Sequence, residues 1–170
     1  MAGKLPQIFM GMNLFVKGKS WQSAVTKFQP SIPKPITKEI NSPGMLGAMD
    51  VNTSKWSKPE PTITIQGYHA ELLGMVGDPE SVDEPITLLG VVGENELTTI
   101  EFELTGLWKD TELGEWADDA NAENTFKIVP QVYSMKIEGK EVLYLDYERR
   151  IARVNGKDVS ADINKRLRIS

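Results

Sequence analysis

The chain has no cysteine and a single histidine in 170 residues. Without thiols there is no disulfide framework, no thiolate nucleophile and no Cys-ligated zinc or iron–sulfur cluster, and the composition suits a reducing cytoplasm. His69 alone cannot form a His-x-x-x-His ligand pair, and any Ser-His-Asp arrangement would have to use it. It sits beside Tyr68 at the start of a predicted helix, where a capping or partly exposed histidine is the ordinary reading. No Asp-x-Asp-x-Asp-Gly loop is present, and "KGKS" lacks the glycine that opens a phosphate loop, since Asn13 stands there. Long apolar runs are missing as well. No window approaches the ~20 residues of a membrane helix, and proline breaks the opening "MAGKLPQIFMGM" before a signal-peptide core can form. The expectation is a soluble chain with no membrane insertion, no cofactor, no metal and no catalytic residues, hence not an enzyme.

What is present is a chain long enough for one domain with one core, given the usual domain size of ~100–150 residues. Its net charge of −5 is unevenly spread. Residues 1–60 hold eight lysines against three acids, residues 61–125 hold Lys109 against fifteen acids, and residues 126–170 hold ten basic residues against six acids. Such a pattern is commonly a solvated acidic face. It also suits self-assembly, because separated basic and acidic surfaces let a subunit pair head to tail with its copy.

Period-two alternation dominates the pattern of apolar residues. "NLFVKGKSWQSAV" reads as a hairpin turning at Lys17-Gly18, with Trp21 in the return strand. "TITIQGY" places Ile63 and Ile65 on one face, and "ITLLGVV" reads as a buried strand. In "LTTIEFELTGLW", Ile100, Phe102 and Leu104 point one way and Glu101 and Glu103 the other, which predicts a sheet with one wet acidic face. "TFKIVPQVYSMKI" resumes the alternation, with Pro130 marking an edge or bulge. Glu138-Gly139 and Asn155-Gly156 are hairpin turns. "HAELLGMVG" predicts a short internal helix. "SADINKRLRIS" predicts a short C-terminal one, with Ser160 as N-cap and Lys165, Arg166 and Arg168 in its last turn.

Between Pro30 and Pro61 the chain holds six of its ten prolines. That density predicts a long stretch without regular structure, apart from an extended piece near "KPITKEI" where Ile36 and Ile40 pair at an edge. Within it, "NSPGMLGAMDVN" is unusually apolar for a surface loop. A structureless stretch this long in a small domain is either disordered or functional.

Fifteen acids in one block could contain a glycosidase pair, which makes a glycan-binding or glycan-cleaving β-sandwich the reading from another class. The four tryptophans at 21, 56, 108 and 116 are scattered rather than gathered into a sugar platform. No nucleic-acid recognition motif accompanies the basic residues.

Taken together, "MNLFVKGKSW", "GMLGAMDVN", "YSMKIEGKEVLYLD" and "VNGKDVSADINKRL" resemble the major tail tube protein of contractile-tailed phages, the family typified by phage P2. The four segments occur in the same order and span nearly the whole chain; the middle, 78–125, matches only in being β-rich and acidic. The resemblance implies a mainly β subunit, an antiparallel β-sandwich or barrel with flanking helix, forming a single tail tube domain over 1–170 with a long protruding loop at about 41–60. Six subunits would form a ring, and rings would stack into the inner tube of a contractile tail, a conduit for DNA during ejection. Similar tubes occur in R-type bacteriocins and in type VI secretion. Implied partners are other copies of the chain, the tail sheath protein, the tape measure protein and the baseplate, with non-specific passage of DNA. The implied location is the virion tail, assembled in the host bacterial cytoplasm.

Under this resemblance the apolar loop is an interface between subunits. Met45, Leu46, Met49 and Val51 would supply contact area, Gly44 and Gly47 would let backbones approach, and Asp50 ends the segment; the alternative is a loop folded back on its own core. A tube that carries DNA avoids basic contacts along its lumen. Glu101 and Glu103 are accordingly candidates for the lumen, though alternation fixes only that they share a face, and the opposite choice would turn them to the sheath. Arg149, Arg150, Arg153, Lys165 and Arg166 are candidates for contacts between stacked rings or with the sheath.

Overall fold

The computed structural model describes residues 6–169, so the first five residues of the opening segment, with the signal-peptide reading made on them, lie outside the described residues. The elements follow in the order β1 (Ile8–Val16), β2 (Lys19–Ser20), β3 (Val25–Gln29), β4 (Pro35–Ile40), β5 (Met49–Trp56), β6 (Thr62–Gln66), α1 (Ala70–Leu73), β7 (Pro85–Gly93), β8 (Leu97–Leu113), β9 (Glu123–Ile137), β10 (Lys140–Asp146), β11 (Ile151–Val154), β12 (Lys157–Asp158) and α2 (Ala161–Leu167). Every strand pairing is antiparallel. Three of the hairpins turn on residue pairs with positive φ, Lys17-Gly18 (53° and 74°), Glu138-Gly139 (52° and 75°) and Asn155-Gly156 (52° and 78°). These are the values a two-residue turn needs to match strand twist.

Strands β8 and β9 organise the fold. Their first layer runs β12-β11-β10-β9-β8-β7-β1-β2. Thr105 pairs with Val132 but Gly106 pairs with Pro130, which leaves Gln131 as an extra residue in β9. Past this bulge the same two strands continue into a second layer, in which β9 pairs with β6 through Glu123–Lys127 and β6 pairs with β3. A bulge is how a strand changes sheets, and it needs room. A side chain on Gly106 would collide with the backbone of Val129 and Pro130, so glycine is required at the bend. Pro130 thus marks the bulge that its position in the sequence predicts.

The two layers enclose one core. Leu14, Ile63, Ile65, Ile86, Leu104 and Ile128 are sealed from solvent, and Trp108 meets Phe126 edge to face at 5.3 Å. Phe102 bridges Phe28 and Tyr133 in the same geometry, with ring centroids 5.3 and 6.2 Å apart. Such pairs add about 0.5–1.5 kcal/mol beyond the area they bury. The alternation in β8 holds as read: Phe102 and Leu104 are buried, Ile100 packs against the core, and Glu103 is exposed on the opposite face.

Two expectations are corrected. The Pro30–Pro61 stretch is not structureless, because β4 and β5 form a two-stranded sheet of their own. Its prolines sit at strand ends and in connections rather than inside strands: Pro35 opens β4, Pro43 lies in the tip, and Pro59 and Pro61 follow β5. Ser160 precedes α2, but its side chain does not cap the helix. The hydroxyl is buried, accepts the Ala152 N–H at 3.1 Å and donates to Asp158 Oδ1 at 2.8 Å, which ties β11 to the helix instead. Hydrogen bonds from the Ser160 side chain and backbone hold the Asp158 carboxyl below its usual range.

Candidate assembly surface

The β4–β5 hairpin is an arm. Its register pairs Ile40 with Met49 and Lys38 with Val51, so alternation places Ile36, Lys38, Ile40, Met49 and Val51 on one face. The other face carries Thr37, Glu39, Asp50 and Asn52, with the like charges of Glu39 and Asp50 directly opposite, a pairing that weakens a sheet. Every residue of β4 is exposed, and Met49 and Val51 of β5 remain 52% and 41% exposed. At the tip Leu46 is fully exposed, while Met45 is half-buried and bonds back to the Ser42 carbonyl. The arm therefore does not fold back on its own core. Met49, Asp50 and Val51 belong to a strand rather than to the loop read from sequence, and the loop itself shrinks to residues 41–48.

Only the root of the arm is fastened. Ser57 exchanges hydrogen bonds with Lys34, donating N–H to its carbonyl and accepting its N–H at Oγ, both at 2.8 Å. Tyr147 donates its hydroxyl to the Ser57 carbonyl at 2.7 Å, and burial pushes its pKa up to about 12. Trp56 packs against the core. Four residues past the arm, Glu60 gathers Lys58, Lys109 and Lys127 at 2.9, 3.2 and 3.9 Å. Hydrogen bonds from Lys58 and then Lys109 hold its carboxyl at about 2. Beyond this root β4 and β5 make no extended contact with any other strand. An isolated two-stranded hairpin is marginally stable in water.

The body is also unfinished at its edges. The Ile8–Asn13 half of β1 pairs with β7 alone, β3 with β6 alone, and β8 beyond Gly106 with β9 alone. Ile8, Phe9, Met10 and Leu97 are exposed together where β1 meets the β7–β8 turn. Unpaired strand borders and exposed apolar clusters of this kind mark association surfaces.

The remaining sequence-chosen residues fall into two groups. Glu101 and Glu103 lie on the outer face of the first layer, where Glu101 is opposite Lys136 and Glu103 opposite Ser134. The face is mixed, since Glu103 also shares a shallow pocket with Lys136, Glu141, Tyr144 and Arg153. Arg153 is committed there: it donates to Glu141 at 2.8 and 3.3 Å and lies 4.1 Å over the Tyr144 ring. It is thus placed beside the acidic candidates rather than apart from them. Arg149 and Arg150 occupy the β10–β11 turn, and the Arg150 carbonyl accepts from Asn164 Nδ2 at 2.6 Å, which brings that turn against α2 with its exposed Lys165 and Arg166.

A model of one protein family, described as phage tail tube protein FII, matches residues 6–167 of the chain. The chain belongs to that family. The match takes in the arm, both layers and α2 alike, and the role it carries is that of a structural tail tube protein, a virion tail component. No curated protein matches the chain. The four tail tube segments read in the sequence correspond to the β1–β2 hairpin, the tip and start of β5, the β9–β10 hairpin, and the β11–β12 turn with α2. Among the described residues no group of three His, Asp or Glu side chains is placed to hold a metal ion, and no helix is long and apolar enough to cross a membrane. His69 packs edge-on against Trp21 at 4.8 Å and bonds the Gln66 carbonyl, a local structural role.

Proposed function

We propose that six copies of this chain close into a ring, and that rings stack into the hollow inner tube of a contractile tail through which DNA passes. The observation that carries this reading is the arm, an apolar strand face held out in solvent by a subunit whose family is that of tail tubes. Ile36, Ile40, Met49 and Val51 are already about half covered, so burying what remains would contribute about 1 kcal/mol each before the cost of ordering the arm, a sum that favours assembly. The unpaired borders of β1, β3 and β8 become satisfied by strands of neighbouring copies. Rotated copies that close give a ring, and the same chain repeated along the axis gives an open-ended stack.

The outer face of the first layer is the lumen in this reading. Arg153 is neutralised by Glu141, which leaves Glu101 and Glu103 against Lys136, a faintly negative lining that does not hold phosphates. The exposed Arg149, Lys165 and Arg166, with Arg150 beside them, then face stacked rings or the tail sheath protein. The tape measure protein and the baseplate meet the inside and the end of the tube, and assembly takes place in the host bacterial cytoplasm. A bacteriocin tube would share all of this geometry. Negative-stain microscopy of the purified protein at increasing concentration tests the proposal, which expects annular particles and tubes; a monodisperse monomer at all concentrations would refute it.

A further inference from the structure

An apolar groove of about 640 Å³ opens between the two layers of the body. Phe9, Met12, Phe28, Ile32, Val92 and Ile100 line it, with Lys27 on the β3 rim. Its two long borders are the unpaired half of β1 and the unpaired border of β3, so backbone donors and acceptors as well as side chains stand ready for an entering strand. Phe9 and Ile32 remain 58% and 56% exposed, and Ile8, Met10 and Leu97 continue the apolar surface out of the groove at the β7–β8 turn. That turn carries Glu94 and Glu96, and Glu138 sits beside it through its hydrogen bonds to Thr99.

Resting on the tube reading above, we propose that this groove receives the β4–β5 arm of a second copy, apolar face inward. The complementarity is specific. The arm has one strand face that is apolar except for Lys38 and, at its root, Lys55, and the groove is apolar on its β1–β7–β8 side, with Thr26, Lys27 and Gln29 along the β3 border and Glu94, Glu96 and Glu138 outside it at the β7–β8 turn. The arm's acidic Glu39 and Asp50 point away from that face, and its strands keep unpaired outer borders that match those of β1 and β3. The arm's root is anchored on the β10–β11 side through Tyr147 and through a pocket that Ile36, Ser54 and Lys55 share with Leu145, Ile151 and Ala152, and beyond it β4 and β5 make no extended contact with the body.

The absence of native cysteine makes the test direct. In Met49→Cys protein the single thiol carries a benzophenone photo-crosslinker, labelled and isotopically heavy unlabelled copies are co-assembled, and cross-linked peptides are identified by mass spectrometry. The proposal expects heavy-to-light peptides from residues 8–12, 26–32 and 88–92. Tubes whose cross-links fall only elsewhere, or only within one chain, overturn it while leaving the tube reading intact; an absence of tubes in the parent protein overturns both. A second variant, Ile32→Glu, changes an exposed groove residue, and is expected to keep the parent's thermal midpoint and to raise the protein concentration needed for tubes by at least about tenfold, the equivalent of ~1.4 kcal/mol per contact. An unchanged assembly threshold in that variant also counts against the groove.

Discussion

The body and the arm of this subunit use the same local chemistry, alternating apolar residues in antiparallel strands, and reach opposite outcomes. In β8 the apolar face turns inward and Leu104 and Trp108 are sealed. In β4 and β5 the body covers the apolar face only at its root, where Ile36 lines a pocket with Leu145, Ile151 and Ala152, while Ile40, Met49 and Val51 stay exposed. The difference lies in neighbours rather than in propensity. Strands β8 and β9 have partners on both borders over much of their length, whereas β4 and β5 have only each other. Alternation specifies a strand with one apolar face, and it does not specify whose atoms cover that face.

The sharpest way to break the comparison is to remove a core anchor. Trp108→Ala deletes a sealed side chain packed edge to face against Phe126 and is expected to cost about 3–5 kcal/mol, read as a collapse of the denaturant midpoint. A loss below ~1 kcal/mol would mean that the core is not where the stability resides. Tyr133 offers a change of opposite sign. Its hydroxyl is buried without a partner and burial, then the charge of Tyr147, pushes its pKa up to about 12. Tyr133→Phe relieves an unmet group whose burial costs about 1–3 kcal/mol, so the variant is expected to match or exceed the parent in stability. The pH dependence follows the same sign: the parent loses stability as pH rises from about 10 towards 12, because the unfolded phenol ionises first, and the Phe variant loses less over that range.

The joint between arm and body gives a smaller effect. Glu60 is held at about 2 by Lys58 and Lys109, so its contribution is present above the ordinary carboxylate range and fades as pH falls towards 2. Glu60→Gln is expected to flatten that acid limb of the stability curve in thermal melts, and identical acid limbs would discount the joint. Least of all is expected from the arm. Replacing Leu46, Met49 and Val51 together by Ser removes exposed side chains and should move folding stability by no more than ~0.5 kcal/mol per site. Tubes should nonetheless disappear from micrographs; persistent tubes would detach the arm from assembly.

Much of the body was legible in sequence because its signals are local. The turns at Lys17-Gly18, Glu138-Gly139 and Asn155-Gly156, the alternation from Ile100 to Leu104, and the bulge at Pro130 each declare themselves within a few residues. The arm was misread because six prolines in one stretch argue against strands when counted, and permit them when placed, since they bound β4 and β5 rather than interrupt them. The alternation of Met49, Val51 and Thr53 was the signal that could have found β5. The groove had no sequence signal, because Phe9, Phe28, Val92 and Ile100 come from four separate strands and meet only in the fold. The pairing of Arg153 with Glu141 has no local signal either, because the two residues meet only across the β10–β11 pair.

Amide hydrogen exchange, followed by mass spectrometry on the free subunit and on assembled protein, tests the central claim most directly. The account predicts that β8 and β9 are protected in both states, while amides of residues 36–56 exchange rapidly in the free subunit and become protected on assembly. An arm equally protected in both states, or equally unprotected in the tube, would contradict it.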